Sequence, residues 1–346
     1  MSVNIFGVMP DHMAGTLSDK FPSYRYKQIC DWLYRKLVFD PAQMSNIPKD
    51  LQAFLLDSYS FNLPEIDAAH EARDSTIKYR LKLRDGAFIE MVLIPAESKR
   101  TLCVSSQIGC SRACAFCATG KMGLSRNLEV HEIVGQIMLA SELIAPASLS
   151  NLVFMGMGEP LDNLSNVLKS LKILQAEQGV AFSPRRTTVS TCGIPHKIRE
   201  LADSGVKTKL AVSLNSAIDE KRDILMPVNK MHPVRELKQA ISYYLSRSSF
   251  RVTFEYILIP GINMGDEDIK ALKRFVGDLS CKINFIPYNR VEHLPYQSPS
   301  EREINEFLQK AASLHQAITL RRSRGSDVCG ACGQLAAQKG EPNEKH

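Results

Sequence analysis

Three cysteines fall within eight residues of the segment CVSSQIGCSRACAFCATG, at positions 110, 114 and 117, in the spacing C-x3-C-x2-C. Thiolates clustered this tightly imply a metal. Structural zinc wants four ligands, usually as two close pairs, and this triplet has no second local pair and no neighbouring histidine. Four-iron clusters normally take four cysteines. A triplet leaves one iron without a protein ligand, open to a small molecule, as a catalytic cluster requires. Two other readings stand beside this one: a zinc site completed by Cys329 or Cys332, and three unrelated buried thiols. Gly109, Ser111 and Gly120 weigh against the latter, because they suggest an exposed turn rather than a core strand.

The chain has nine cysteines, the others at 30, 103, 192, 281, 329 and 332, so complete internal pairing is impossible. Residues Met1 to Met13 hold neither a basic start nor a long apolar run, so no secretory signal is expected and a disulfide framework is not either. No stretch approaches the roughly 18 apolar residues of a membrane span, and the expected location is cytoplasmic. Hydrophobic residues at 44% and charged residues at 23% exclude a chain that is disordered throughout. A net charge of +6 permits a polyanionic partner without demanding one.

The elements that must position the cysteines follow from periodicity. Ile29, Cys30, Leu33, Tyr34 and Leu37 share one helical face, with Ser23 expected to cap that helix. A short element follows Pro41, and a third starts near Pro48 with Leu51, Phe54 and Leu55 as its stripe. From Ser75 to Ile94 the period becomes two, with Asp85-Gly86 between the runs, which predicts a hairpin. Beyond residue 102, strands expected at Leu102–Ser106, Leu152–Met157, Thr187–Cys192, Lys209–Leu214, Val252–Leu258, Lys282–Pro287 and Ile318–Arg322 are separated mostly by amphipathic helices. One helix carries Ile133, Val134, Ile137 and Met138, another Val234, Leu237, Ile241 and Leu245. Alternating strands and helices predict an α/β fold on a parallel sheet, either a full or partial βα barrel or an open doubly wound sheet. The cysteine triplet then lies in a loop at the C-terminal end of the first parallel strand, where such folds carry their sites. Cys192 and Cys281 fall in strand-like runs and read as small core residues. The tail from Gln338 to His346 is polar and reads as disordered.

MGMGEP at 155–160 ends the second of these strands as a glycine-rich turn. With the triplet, and with Phe116 before its last cysteine, it resembles radical S-adenosylmethionine (SAM) enzymes. TLCVSSQIGC, CATGKMG, FMGMGEPL, PRRTTVSTCG and ACGQL together narrow the resemblance to the RlmN/Cfr family of radical SAM RNA methyltransferases, from about Phe21 to Leu335. Pro160 after Gly158 and Glu159 resembles the branch that acts on carbon 2 of adenosine.

The resemblance implies a partial radical SAM barrel preceded by a small helical accessory domain. Its divisions would be 1–74 (helical, RNA-binding), 75–100 (hairpin extension), 101–325 (barrel) and 326–346 (tail with the catalytic cysteine). It implies a 4Fe–4S cluster on Cys110, Cys114 and Cys117, and two SAM per turnover. Gly158, Glu159, Ser190, Ser213, Leu214, Asn215 and Asn289 would contact SAM. Cys332 would be methylated, then lose a hydrogen to a 5′-deoxyadenosyl radical and add to the adenine carbon. Cys103 would remove the ring proton and close a disulfide with Cys332. Glu90 would be a proton acceptor; the competing reading is a solvent-facing strand residue. Cys329 makes a C-x-x-C with Cys332 but reads as a coincidental thiol. The implied partners are 23S rRNA and tRNA, with an electron donor such as flavodoxin or ferredoxin, no membrane, and a monomeric enzyme. The alternatives are methylation at carbon 8, or a zinc-stapled, non-catalytic RNA-binding protein. Lys99, Arg100, Arg112, Lys121, Arg126, Arg185, Arg186 and the run LRRSR at 320–324 are candidate phosphate contacts, with Arg322 and Arg324 expected to outweigh Arg185 and Arg186.

Overall fold

The structure, a computed structural model, describes residues 2–337; the polar tail expected from Gln338 onward lies outside them. A short strand β1 (Val3–Asn4) precedes three helices, α1 (Pro10–Ser18), α2 (Tyr24–Tyr34) and α3 (Lys49–Ser58). They close over Met13, Leu17, Ile29, Leu33, Leu51 and Leu55, all essentially without exposure. Ser23 does not cap α2: its backbone is already helical and its side chain makes no capping bond, whereas an N-cap needs an extended backbone to aim its oxygen at the first turn. Leu37 lies past the end of α2 at φ 57° and packs there.

After β2 (Tyr59–Ser60), β3 (Glu65–Glu71), β4 (Ile77–Lys82), β5 (Phe88–Ala96) and β6 (Lys99–Cys103) form an antiparallel run. The expected hairpin is β4–β5, turned at Asp85-Gly86 with Gly86 at φ 82°. A small pair, β7 (Gln107–Cys110) and β8 (Gly123–Asn127), stands apart and brackets α4 (Ala118–Lys121). The chain then alternates: α5 (Val130–Ile144), β9 (Asn151–Phe154), α6 (Leu164–Gln175), β10 (Thr187–Thr191), α7 (Pro195–Asp203), β11 (Lys209–Ser213), α8 (Asp219–Leu225), α9 (Val234–Arg247), β12 (Val252–Leu258), α10 (Asp266–Val276), β13 (Cys281–Pro287), α11 (Glu301–Ala311), β14 (Ala317–Leu320).

These strands build one sheet in the order β14-β13-β12-β11-β10-β9-β6-β5-β4-β3. From β6 to β14 every pairing is parallel and the order never reverses. A doubly wound sheet reverses its order at a switch point; this one winds in a single direction, as a barrel does. The structure therefore resolves the choice in favour of a partial βα barrel, with β4–β5 continuing its sheet beyond β6. β12 is buried on both faces, as a central parallel strand must be. Below the strand ends, Tyr256, Phe285 and Phe307 pack mutually, with Phe285 edge-on to both others at 5.6 and 5.1 Å between ring centres.

Candidate active site

Cys110 ends β7, and Cys114 and Cys117 lie on the loop that leads into α4. Two bonds from distant elements hold this loop: Ala115 N–H donates to Leu225 O at 2.9 Å, and Ala118 N–H to Gly333 O at 2.7 Å. All three thiols line one cavity of about 150 Å³, formed where the C-terminal ends of the parallel strands converge. Burial pushes the Cys110 thiol up to about 12, and raises Cys114 and Cys117 as well. Among the described residues, no three His, Cys, Asp or Glu side chains are placed around a point that would hold a single ion. Three thiols on the wall of one cavity are the donors that a cluster would need, and the open space beside them suits a second, organic ligand.

Gly158 and Glu159 line the same cavity from the turn after β9. Gly158 holds φ at +100°, and a Cβ there would lie 2.5 Å from Gln107 Cβ, so the turn admits only glycine. Gln107 in turn accepts the Glu159 N–H at 2.8 Å. The Glu159 carboxylate is buried, accepting from Leu161 N–H at 3.0 Å and Cys192 N–H at 2.7 Å; burial raises its pKa against those two bonds. Ser190, Ser213 and Asn215 join the lining from the ends of β10 and β11. Asn215 Oδ1 accepts Ile257 N–H at 2.9 Å. Leu214 is fully buried behind this wall rather than in it.

Cys332 lines this cavity and also a smaller neighbour whose wall contains Cys103, Ile94, Met155 and Leu335. Cys103 ends β6 and is buried, which pushes its thiol up to about 12, with Cys332 adding to the rise and Arg321 opposing it. The tail that carries Cys332 is stitched down residue by residue. Asn289 Nδ2 donates to Cys332 O at 3.1 Å, Gln334 Nε2 to Arg290 O at 2.9 Å, and Thr119 Oγ1 to Leu335 O at 2.6 Å. Asn289 thus grips the tail instead of lining the main cavity. Glu90 is not solvent-facing: it is 4% exposed, takes Lys78 Nζ at 3.3 Å, and accepts Ala336 N–H at 2.9 Å. Cys329 is exposed, on the far side of a left-handed turn at φ 52°.

Several residues of the site carry no role of their own in the sequence reading, although Met155 lies in the MGMGEP turn and Arg321 in the LRRSR run. Cys192, read as core, lines the main cavity and accepts Arg222 Nη2 on its carbonyl at 2.6 Å. Arg321 faces both cavities, 4.0 Å from Glu255 Oε2, an oxygen buried without a hydrogen-bond donor. Met155 Sδ lies 3.6 Å from Arg321 Nη1. Position is their one signal: Cys192 ends an expected strand, and Met155, Glu255 and Arg321 lie within expected strands.

The basic residues divide differently from expectation. Arg112 pairs with Asp162, and Arg126 with both Asp85 and Glu132. Arg322 makes a two-pronged pair with Glu301, both bonds 2.6 Å. Arg324 donates to Pro95 O and lines the smaller cavity. Lys99, Arg100, Arg185 and Arg186 stand at the entry ends of β6 and β10, away from the converging strand ends. Among the described residues, no helix is long and apolar enough to cross a membrane.

A model of the radical SAM superfamily matches residues 104–276. The probable dual-specificity RNA methyltransferase RlmN of Dictyoglomus turgidum is 43% identical over 318 residues, covering 91% of each chain. The dual-specificity RNA methyltransferase RlmN of Desulfotalea psychrophila is 42% identical over 327 residues, covering 92% of this chain and 90% of its own. The crystal structure of a radical SAM methyltransferase from Sphaerobacter thermophilus superposes with a TM-score of 0.92 at 38% identity, covering 97% of this chain and 100% of that one.

Proposed function

The chain belongs to the radical SAM superfamily and, within it, to the RlmN family of RNA methyltransferases, and from that membership we propose that it methylates carbon 2 of an adenosine in 23S rRNA, with tRNA as a second substrate, through an S-methylcysteine. Its cofactors are a 4Fe–4S cluster and SAM. The observation that carries the reading is the pair Cys103 and Cys332, which face one small cavity while Cys332 also faces the cavity of the three-cysteine loop.

Carbon 2 of adenine is electron-poor and bears no acidic proton, so direct polar transfer from SAM is unfavourable. Cys110, Cys114 and Cys117 would hold the cluster, which would supply the electron for reductive cleavage of SAM. Cys332 would accept a methyl group from one SAM, leaving S-adenosylhomocysteine; the 5′-deoxyadenosyl group of a second SAM would take a hydrogen from that methyl group as 5′-deoxyadenosine, and the carbon would then bond to the base. Cys103 would remove the ring proton and close a disulfide with Cys332, breaking the bond between the Cys332 sulfur and that carbon, which takes a proton and stays on the base as methyl while one electron returns to the cluster. Glu90 is a proton acceptor in this scheme, and its bond to Ala336 N–H also fixes the tail. Gly158, Glu159, Ser190, Ser213 and Asn215 hold SAM around the cavity. Leu214 and Asn289 act through what they support, the strand end and the Cys332 backbone. The helical region 1–74 contributes to gripping folded RNA, whose target base must be unstacked to enter.

Nucleoside mass spectrometry of rRNA and tRNA from a strain lacking the gene tests the reaction. Loss of 2-methyladenosine is expected; loss of 8-methyladenosine instead would move the activity to carbon 8. In the purified enzyme, Cys103→Ala is expected to trap RNA on Cys332. An adduct on Cys329 would reverse the assignment within the tail.

A further inference from the structure

Arg222, on α8, is fully buried. Its Nη1 donates to the carbonyls of Ser213 (2.9 Å) and Leu214, its Nη2 donates to Cys192 O at 2.6 Å, and Nη1 touches Met226 Sδ at 3.1 Å. Nε has no partner. Every acceptor is neutral, and among the described residues no carboxylate pairs with this guanidinium. Arginine is almost never fully buried unless an anion balances it, because desolvating an isolated charge costs several kcal/mol.

The position of the residue says where that anion belongs. The carbonyls it binds close the ends of β10 and β11, directly behind the wall of the main cavity. The same helix gives Leu225 O to Ala115 N–H, between Cys114 and Cys117. The groups that act on its charge are the thiols of Cys192 and then Cys114, followed by the carboxylates of Asp219 and Asp223 on its own helix, neither of which forms an ion pair with it. Burial lowers the guanidinium to about 10, against the opposing pull of those neighbours.

We propose that Arg222 is the counter-charge of the iron–sulfur cluster, a positioning residue that from behind the cavity wall stabilises the bound cluster and stabilises its reduced state most. This rests on the assignment of the cluster to Cys110, Cys114 and Cys117. A thiolate-ligated cluster is anionic, and reduction adds one further negative charge. A fixed cation close by in a low-dielectric wall therefore favours the electron's arrival, and the arginine's own desolvation is offset only when the cluster is present.

The test uses the reconstituted full-length enzyme with three variants: Arg222→Gln, which keeps hydrogen-bond donors without the charge, Arg222→Lys, which keeps the charge, and Cys114→Ala. Iron and sulfide are counted, and the cluster is titrated with a graded reductant and followed by electron paramagnetic resonance. At the potential where the wild-type cluster is half reduced, Arg222→Gln is expected to lower the reduced-to-oxidised ratio by about tenfold, or to lose the cluster outright while Arg222→Lys retains it. Arg222→Lys is expected to stay within about threefold of wild type. A fully loaded Arg222→Gln enzyme with the wild-type ratio overturns the proposal. So does a pair of variants that shift the ratio or lose iron equally, because that marks a clip for the strand ends rather than a charge. If Arg222→Gln does not fold, the ratio in Arg222→Lys decides: agreement with wild type supports the counter-charge and a tenfold fall overturns it. Full iron content in Cys114→Ala would instead refute the ligand assignment beneath the proposal, whatever Arg222 does.

Discussion

A side chain's type and its neighbours in space carry different shares of this site. Cys110, Cys114 and Cys117 were legible because thiol spacing alone restricts the metals they can hold, and the turn at Gly158 was legible because only glycine tolerates its backbone. Cys114→Ala is expected to reduce iron from about four per chain to near zero after anaerobic reconstitution, and a protein that still holds four irons by elemental analysis would exclude the three-thiol cluster. Gly158→Ala places a methyl group against Gln107 in a positive-φ turn. It is expected to weaken SAM binding at least about tenfold in calorimetry, or about 1.4 kcal/mol, while the apo fold persists. Arg222, Arg321 and Glu255 could not be found the same way. An arginine in a helix normally reads as solvated, and nothing in the run DEKRDIL separates Arg222 from the half-buried Lys221 and Asp223 beside it. Its meaning comes from contacts with residues 192, 213 and 214, which only folding brings together. Cys192 is a core residue as its strand-like run suggests, and it also lines the main cavity, which periodicity does not distinguish at a strand end.

At the scale of elements, the seven parallel strands were legible to within a few residues because each is a short apolar run bounded by turn residues. The elements that escaped were α1, opened by Pro10, the exposed edge strand β3, and the β7–β8 pair. β3 is polar on nearly every face, so it has no alternation to read, and it is a strand only because β4 offers it a ladder. The packing beneath the strand ends is a testable consequence of the same layering. Phe285 sits between Tyr256 and Phe307 with no exposure, so Phe285→Ala is expected to destabilise by about 3–5 kcal/mol in denaturant unfolding. The tail behaves as an element too, although it holds little regular structure. Asp74 accepts Gly325 N–H at 3.1 Å and Thr76 N–H at 3.0 Å. Partial burial raises its pKa, but the bonds from Thr76 and Gly325 outweigh that and hold it below the usual carboxylate value. A depressed carboxylate stabilises fully above its unfolded pKa, and that support is lost as pH falls through the lower folded one. Asp74→Ala is accordingly expected to speed hydrogen exchange in residues 326–337 at neutral pH, with the difference from wild type shrinking in strong acid. Unchanged exchange at pH 7 would mean that Thr119, Gln334 and Glu90 hold the tail without it.

Over the whole molecule, net charge gave the weakest guide. The excess of 43 basic over 37 acidic residues permits a polyanionic partner without demanding one, and of the candidate phosphate contacts Arg112, Arg126 and Arg322 pair with carboxylates. Arg322 and Arg324 are expected from the sequence to act together, because their run leads directly into the tail that carries Cys332. The fold separates them: Arg322 is neutralised by both oxygens of Glu301 on α11, whereas Arg324 gives one N–H to a neutral carbonyl and lines the cavity of Cys103 and Cys332. An arginine already paired with a carboxylate releases few counterions when RNA arrives; one that makes no ion pair among the described residues, with Asp74 its nearby carboxylate, is freer to take a phosphate. Arg324→Ala is therefore expected to weaken RNA binding and to reduce the log–log salt slope by about 0.7–0.9, while Arg322→Ala leaves the slope unchanged. SAM cleavage without RNA should survive both, since neither side chain lines the main cavity. Filter binding across a salt series distinguishes the two, and equal slopes for Arg324→Ala and wild type would move the RNA footprint away from the tail, toward Arg185 and Arg186 at the entry end of β10 or toward the helices of the N-terminal region.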